Sequence, residues 1–275
     1  MRVARAMVDD EPRVVVDEGT GPRVAPVGDD VLAALDADRA GWAEAPDRLR
    51  LLAPVPRPGK IIAVGLNYAD HTTETGFTPP AQPLTFAKYS SSITDPGADV
   101  VVPDHLTAQV DYEAELAVVI GRRCGGATPA TLGDVAGYTV ANDLSARDVQ
   151  FGDGQWTRAK SFDGFTPLGP WLVTPDEFGD PQARRIWTAI DGETMQDDST
   201  ASMVFGVAQL LARLSDGITL EPGDVILTGT PAGAGGFRTP PRFLQHGETV
   251  EVGVDGIGAL VNRILFRSRL EEAAS

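Results

Sequence analysis

The segment Val110-Asp-Tyr-Glu-Ala-Glu-Leu-Ala-Val-Val-Ile-Gly121 places acidic residues at 111, 113 and 115, every second position. Read as a strand, it projects Asp111, Glu113 and Glu115 to one face, while Ala114, Leu116, Val118 and Ile120 line an apolar opposite face. Carboxylates held side by side repel unless a cation lies between them. Mg²⁺ or Mn²⁺ suits such a set, because hard cations take carboxylate oxygens and keep positions for water and substrate. A solvated acidic strand face is the plainer explanation of the same alternation. A second segment adds weight to the metal reading. In Gly137-Tyr-Thr-Val-Ala-Asn-Asp-Leu-Ser-Ala-Arg-Asp-Val-Gln150 an apolar run ends in Asn142 and Asp143. Capping of a short helix by Asp143 or Ser145 accounts for part of that pattern. It leaves Arg147 and Gln150 unexplained, three residues apart and so on one helical side.

These groups need a rigid frame, and the pattern beyond Lys60 is dominated by strands. KIIAVGL, ADVVVP, GYTVAND, LGPWLV, RIWTAIDG, DVILTGT, TVEVGVDG and ALVNRILF are β-branched or alternating runs bounded by Gly, Pro, Asn or Asp. One long helix is expected from about Ser202 to Ser215, stopped by Gly217. Residues 1–53 predict two short strands (Arg2 to Met7, Arg13 to Val16), a helix through VLAALDADRAGWAE behind Asp29 and Asp30, and a strand LRLLAPV. Pro54, Pro56, Pro58 and Gly59 mark a boundary, since none continues a helix or suits a central strand. The expectation is a β-rich α+β protein, with a small N-terminal α/β domain over 1–53 and a catalytic domain over 60–275. Strands that do not alternate regularly with helices argue against a doubly wound parallel sheet.

Composition narrows the partners. A net charge of −16 over 275 residues disfavours nucleic acid and anionic membranes, which need a basic patch. A small anionic substrate is still admissible, because a bound divalent cation reverses the local field. The single cysteine, Cys124, permits no intrachain disulfide and suits a reducing cytoplasm. No apolar run approaches the roughly 20 residues of a membrane span. A soluble cytoplasmic protein is expected.

Six collinear blocks resemble the fumarylacetoacetate hydrolase family. They are KIIAVGLNYADH (60–71), VDYEAELAVVIG (110–121), GYTVANDLSARDVQ (137–150), WTRAKSFDGFTPLGPW (156–171), TLEPGDVILTGTPAG (219–233) and GIGALVNRI (256–264). The resemblance implies a twisted mixed β-roll, commonly a homodimer, with a metal triad at Glu113, Glu115 and Asp143. It also implies a His-x-x-Glu pair on a lid, here His71 and Glu74, and a site lysine, Lys160. Arg147, Gln150 and Thr230 match substrate-contacting positions, and Lys88 matches a lysine near the entrance. Two departures stand out: Tyr89 replaces a proline common after that lysine, and Gly253 an acidic residue.

The implied chemistry is cleavage of a 2,4-dioxo acid (an acylpyruvate such as fumarylpyruvate) through a metal-stabilised enolate. His71, oriented by Glu74, would activate water, and Arg147 would offer a fork to a distal carboxylate. Decarboxylation of oxaloacetate and isomerisation of hydroxymuconate-type diacids draw on the same enolate, and a non-catalytic binding protein is the remote alternative. Glu113→Ala or Asp143→Ala should abolish activity and leave the fold intact. The glycine-rich GTPAGAGG lacks the Lys-Ser/Thr of a phosphate loop and reads instead as a tight turn or a close backbone approach. Cys124, His105 and His246 are assigned no chemistry.

Overall fold

The apolar run Ala114–Ile120 forms a fully buried strand near the middle of the main sheet of the computed structural model, which describes residues 1–26, 28–70, 74 and 80–268. Its neighbours, Val135–Asn142 and Val225–Leu227, are both antiparallel to it. Val225–Leu227 runs parallel to Ile61–Gly65, which pairs in turn with Leu84–Lys88. On the other side the sheet continues through Thr166–Val173 to Arg2–Val8 and Glu11–Asp17. A second sheet of five strands runs Glu193–Ser199, Arg185–Ile190, Thr249–Val254, Gly258–Arg267 and Asp99–Pro103.

The main sheet is covered on both faces, which explains why its central strands are nearly continuous in apolar residues. Leu116, Val118 and Ile120 join a core with Ile186, Val252 and Ile264 of the second sheet. Ala117 and Val119 join another with Val3, Val14 and Val31 of the first segment. The β-rich α+β class is thus as expected. Hydrogen bonding runs across the proline-rich stretch at 54–59, because Arg2 and Val3 pair with Val173 and Leu172. No helix among the described residues is long and apolar enough to cross a membrane.

Three elements differ from the sequence expectation. The first helix covers only Val31–Leu35, capped by Asp30, whose carboxylate accepts from Leu32 N–H and Ala33 N–H. Asp36, Asp38 and Gly41 are poor helix formers, and Ala43–Glu44 turns into a strand against Arg23–Val24. The long helix is confined to Val207–Leu214, with Thr200–Ser202 a separate 3₁₀ turn. Gln182 Oε1 accepts the Val207 N–H at 2.7 Å and fixes that later start. The acidic strand is broken: Val110–Asp111 pairs with Ser145–Ala146, and pairing with Val135–Asn142 begins only at Ala114.

Gly253 is accounted for by its cross-strand neighbour. Trp187 lies directly opposite, and a Cβ at 253 would come within 2.4 Å of its indole. Tyr89 is exposed, and its N–H donates to Ser161 Oγ at 3.1 Å.

Candidate metal centre and active site

The break in the acidic strand positions the site. Asp143 N–H donates to the Glu113 carbonyl at 2.9 Å, and Glu113 N–H donates to Asn142 Oδ1 at 3.0 Å. Two segments are stapled together there, so that Glu113, Glu115 and Asp143 each offer an oxygen, all within 4.8 Å of one another and all buried.

Buried carboxylates must be compensated. Lys160 Nζ donates to Glu113 Oε2 at 2.5 Å and Asp143 Oδ2 at 2.7 Å. Lys88 Nζ donates to Asp143 Oδ1, and to the Phe165 carbonyl at 3.0 Å. Arg147 Nη2 meets Glu113 Oε1 at 2.5 Å, and Nε meets Asp111 Oδ2 at 2.8 Å. The two lysines shift in opposite directions. Burial disfavours charge on both, but Asp143 and Glu113 together outweigh it at Lys160 and hold that ammonium above its ordinary value. Lys88, bonded to Asp143 alone of the carboxylates, is lowered because burial prevails.

Asp111, Glu113, Glu115 and Asp143 therefore face three cationic side chains, and Glu115 is the one left over. It accepts the Gly229 N–H at 2.6 Å and makes no ion pair among the described residues. Burial, then the charges of Asp143 and Glu113, push its carboxyl well above the ordinary range. Three convergent oxygens with negative charge to spare form a donor set suited to a hard divalent cation. The residues fit the group.

A cavity of about 140 Å³ opens onto this cluster and is lined by Glu113, Glu115, Arg147, Gln150, Lys160 and Thr230. Val64, Leu66, Phe86, Phe151, Trp156 and Phe237 supply its apolar walls. Gly65 is required beside Trp156, since a Cβ there would lie 2.4 Å from the indole. Leu66 adopts φ 57°, a left-handed conformation unusual for a branched residue, at the cavity wall.

Several site residues stand differently from expectation. Lys88 is not at an entrance but enclosed beside Asp143. Arg147 reaches the cavity, yet its guanidinium is engaged with Asp111, Glu113 and, through Nη1, Gln150 Oε1 at 2.8 Å, so it orients Glu113 rather than presenting an open fork. The Glu74 carboxylate accepts the Gly233 N–H at 3.1 and 3.2 Å. His71 lies outside the described residues. Burial, ahead of the charge of Asp134, raises the Cys124 thiol, as suits a sulfur with no chemical role.

Asp111 was within sight in the sequence, at the same two-residue spacing, but its role could not be read there. It accepts from Tyr112 N–H (2.8 Å), Gly235 N–H (2.7 Å), Gly236 N–H (2.9 Å) and Arg147. The glycine-rich stretch thus approaches a carboxylate: a Cβ at Gly235 would sit 2.9 Å from Asp111 Oδ1, and 1.8 Å from the Arg242 carbonyl oxygen. Asp111→Ala strands Arg147 Nε and two loop amides. The expected cost is about 3–5 kcal/mol, the range for breaking a buried ion pair, read by urea denaturation.

Comparison with known proteins agrees with this geometry. The family described as Fumarylacetoacetate (FAA) hydrolase C-terminal matches residues 60–265. A mitochondrial oxaloacetate tautomerase of Bos taurus is 46% identical over 218 residues, covering 78% of this chain and 69% of its own length. The structure of a fumarylacetoacetate hydrolase from Exiguobacterium antarcticum matches with a TM-score of 0.89 and 39% identity, over 97% of this chain and 100% of that one. A 5-carboxymethyl-2-hydroxymuconate delta-isomerase from Mycobacterium smegmatis matches with a TM-score of 0.80 and 36% identity, over 97% and 99% respectively. On sequence and fold together, the chain belongs to the fumarylacetoacetate hydrolase family.

Proposed function

We propose that this chain is a Mg²⁺- or Mn²⁺-dependent enzyme that hydrolyses the C3–C4 bond of small 2,4-dioxo acids (acylpyruvates). The observation that carries this reading is the convergence of Glu113, Glu115 and Asp143, of which Glu113 and Glu115 line a cavity of about 140 Å³, a size for an acid of few carbons. Glu113, Glu115 and Asp143 would hold a divalent cation, and bound there it would supply electrostatic stabilisation for the negative charge that grows on the substrate's 2-oxo oxygen as the bond breaks. Thr230 and Gln150 hydrogen-bond substrate oxygens from the cavity wall, and Lys160 adds a fixed positive charge. The aromatic walls exclude water and strengthen each of these interactions. His71, with Glu74 as its orienting partner, takes the proton of the water that attacks C4.

His71→Ala is expected to lower kcat by about a hundredfold or more, the usual weight of a general base, with cation affinity unchanged in calorimetry. Parent-rate hydrolysis by the variant would remove histidine from the mechanism. A second reading, keto–enol interconversion of oxaloacetate, is favoured by the bovine relative and uses the same carboxylates without water attack. Acetylpyruvate, fumarylpyruvate and oxaloacetate assayed side by side separate the two, and turnover of oxaloacetate alone would eliminate the hydrolase. Assembly as a homodimer belongs to the same proposal, and a monomer mass in sedimentation would remove it.

A further inference from the structure

Gln196 lies on the Glu193–Ser199 strand of the second sheet and is buried. Its amide orientation is fixed by partners that act in one sense only. Oε1 accepts the Ala114 N–H at 3.0 Å, and a backbone N–H can only donate. Nε2 donates to the Pro231 carbonyl at 2.8 Å, and a carbonyl can only accept. The other hydrogen on Nε2 faces Thr230 Oγ1 at 2.8 Å, so the threonine is the acceptor in that bond. Thr230 Oγ1 has no further hydrogen-bond partner among the described residues, and the side chain lines the cavity. A free hydroxyl rotates to donate or accept as its neighbour requires. Here Gln196 occupies one of the two lone pairs, and the proton, which cannot point at an N–H donor, is left for the cavity.

Gln150, which also lines the cavity, is arranged alike. Arg147 Nη1 can only donate, and it holds Gln150 Oε1, so the Gln150 amide has its N–H groups to offer.

We infer that Gln196 is a positioning residue that turns the Thr230 proton toward the cavity, so that Thr230 donates to an acceptor oxygen of the substrate, a carboxylate or enolate oxygen. The choice of oxo acid as substrate rests on the proposed function; the direction of the Thr230 proton does not. The same Oε1 grips Ala114, between Glu113 and Glu115, and so holds the donor in register with the carboxylates.

Neutron diffraction from deuterium-exchanged crystals reads the proton directly. Nuclear density on the cavity side of Thr230 Oγ1, with both Gln196 Nε2 deuterons directed at Thr230 and Pro231, is the expected result. A threonine deuteron lying toward Gln196 overturns the inference whatever the reaction proves to be. Calorimetry with oxalate at saturating Mg²⁺ tests the consequence. Thr230→Val should weaken oxalate about tenfold, for the loss of a hydrogen bond to a charged acceptor, and Thr230→Ser should restore it. Gln196→Glu should cost more with Thr230 present than in the Thr230→Val background, because a carboxylate would draw the threonine proton to itself. Equal costs in both backgrounds, or parental oxalate binding by Thr230→Val, overturns the inference. A parent protein that turns over no oxo acid would sink the proposed function and leave the deuteron result standing.

Discussion

Asp143→Ala is expected to abolish turnover and, contrary to the expectation from sequence, to cost much of the fold's stability as well. Asp143 is fully buried and is bonded by both Lys88 and Lys160. Removing it strands Lys88 with only a carbonyl and Lys160 with only Glu113. Truncating one member of a buried ion pair typically costs about 3–5 kcal/mol, a large share of a domain's net stability. Asp143→Asn keeps the shape and can still accept hydrogen bonds, so it should fold better than the alanine variant while losing cation affinity. Urea midpoints and Mn²⁺ titration of the two variants test this directly. A parental midpoint for Asp143→Ala would mean that the lysines find other partners, and the account of the charge cluster would fail.

Glu115→Gln should do the reverse: remove cation binding and turnover while making the cation-free protein more stable above the ordinary carboxyl range. The sign follows from linkage. Burial, with Asp143 and Glu113 behind it, raises the folded-state carboxyl of Glu115 well above its ordinary value of 4.5. Between those two values the folded chain binds a proton that the unfolded chain has released, so stability falls as pH rises through the window. Glutamine has no proton to lose, and its carbonyl can keep the Gly229 N–H. The parent's cation affinity should rise with pH over the same window, because a cation must displace that proton. Denaturation of parent and variant at pH 5 and pH 8 without cation tests the first part. An equal change in both proteins would show that Glu115 is not the group responsible.

How much of this could be read from the sequence depended on distance along the chain. Glu113 and Glu115 announce themselves by strand period, and Asp143 by the abrupt end of an apolar run, although only the family blocks joined the two segments. The β-rich class follows from the same periodicity. The partners that tune the site are another matter. Asp111 is held by glycines more than a hundred residues downstream, and Gln196 belongs to an acidic stretch, ETMQDDS, that resembles a loop until Arg185–Ile190 pairs with it. Nothing local in that stretch marks its glutamine. Lys88 is placed at an entrance by the resemblance alone, and its partners in space, Asp143 and the Phe165 carbonyl, lie 55 and 77 residues further along the chain. Arg147 lines the cavity, but its role depends on Asp111, whose glycine partners lie far off along the chain.

Lys88, Arg147 and Lys160 have a practical consequence for handling the protein. Chains that fold around zinc collapse when chelated, since the ion is their nucleus. This chain neutralises most of its acidic cluster internally, so under the proposed function ion loading would be a late, reversible step taken by an already finished scaffold. Chelator-stripped samples should keep their circular dichroism and recover on simple addition of Mg²⁺, and an idle preparation calls for a change of buffer before any attempt at refolding.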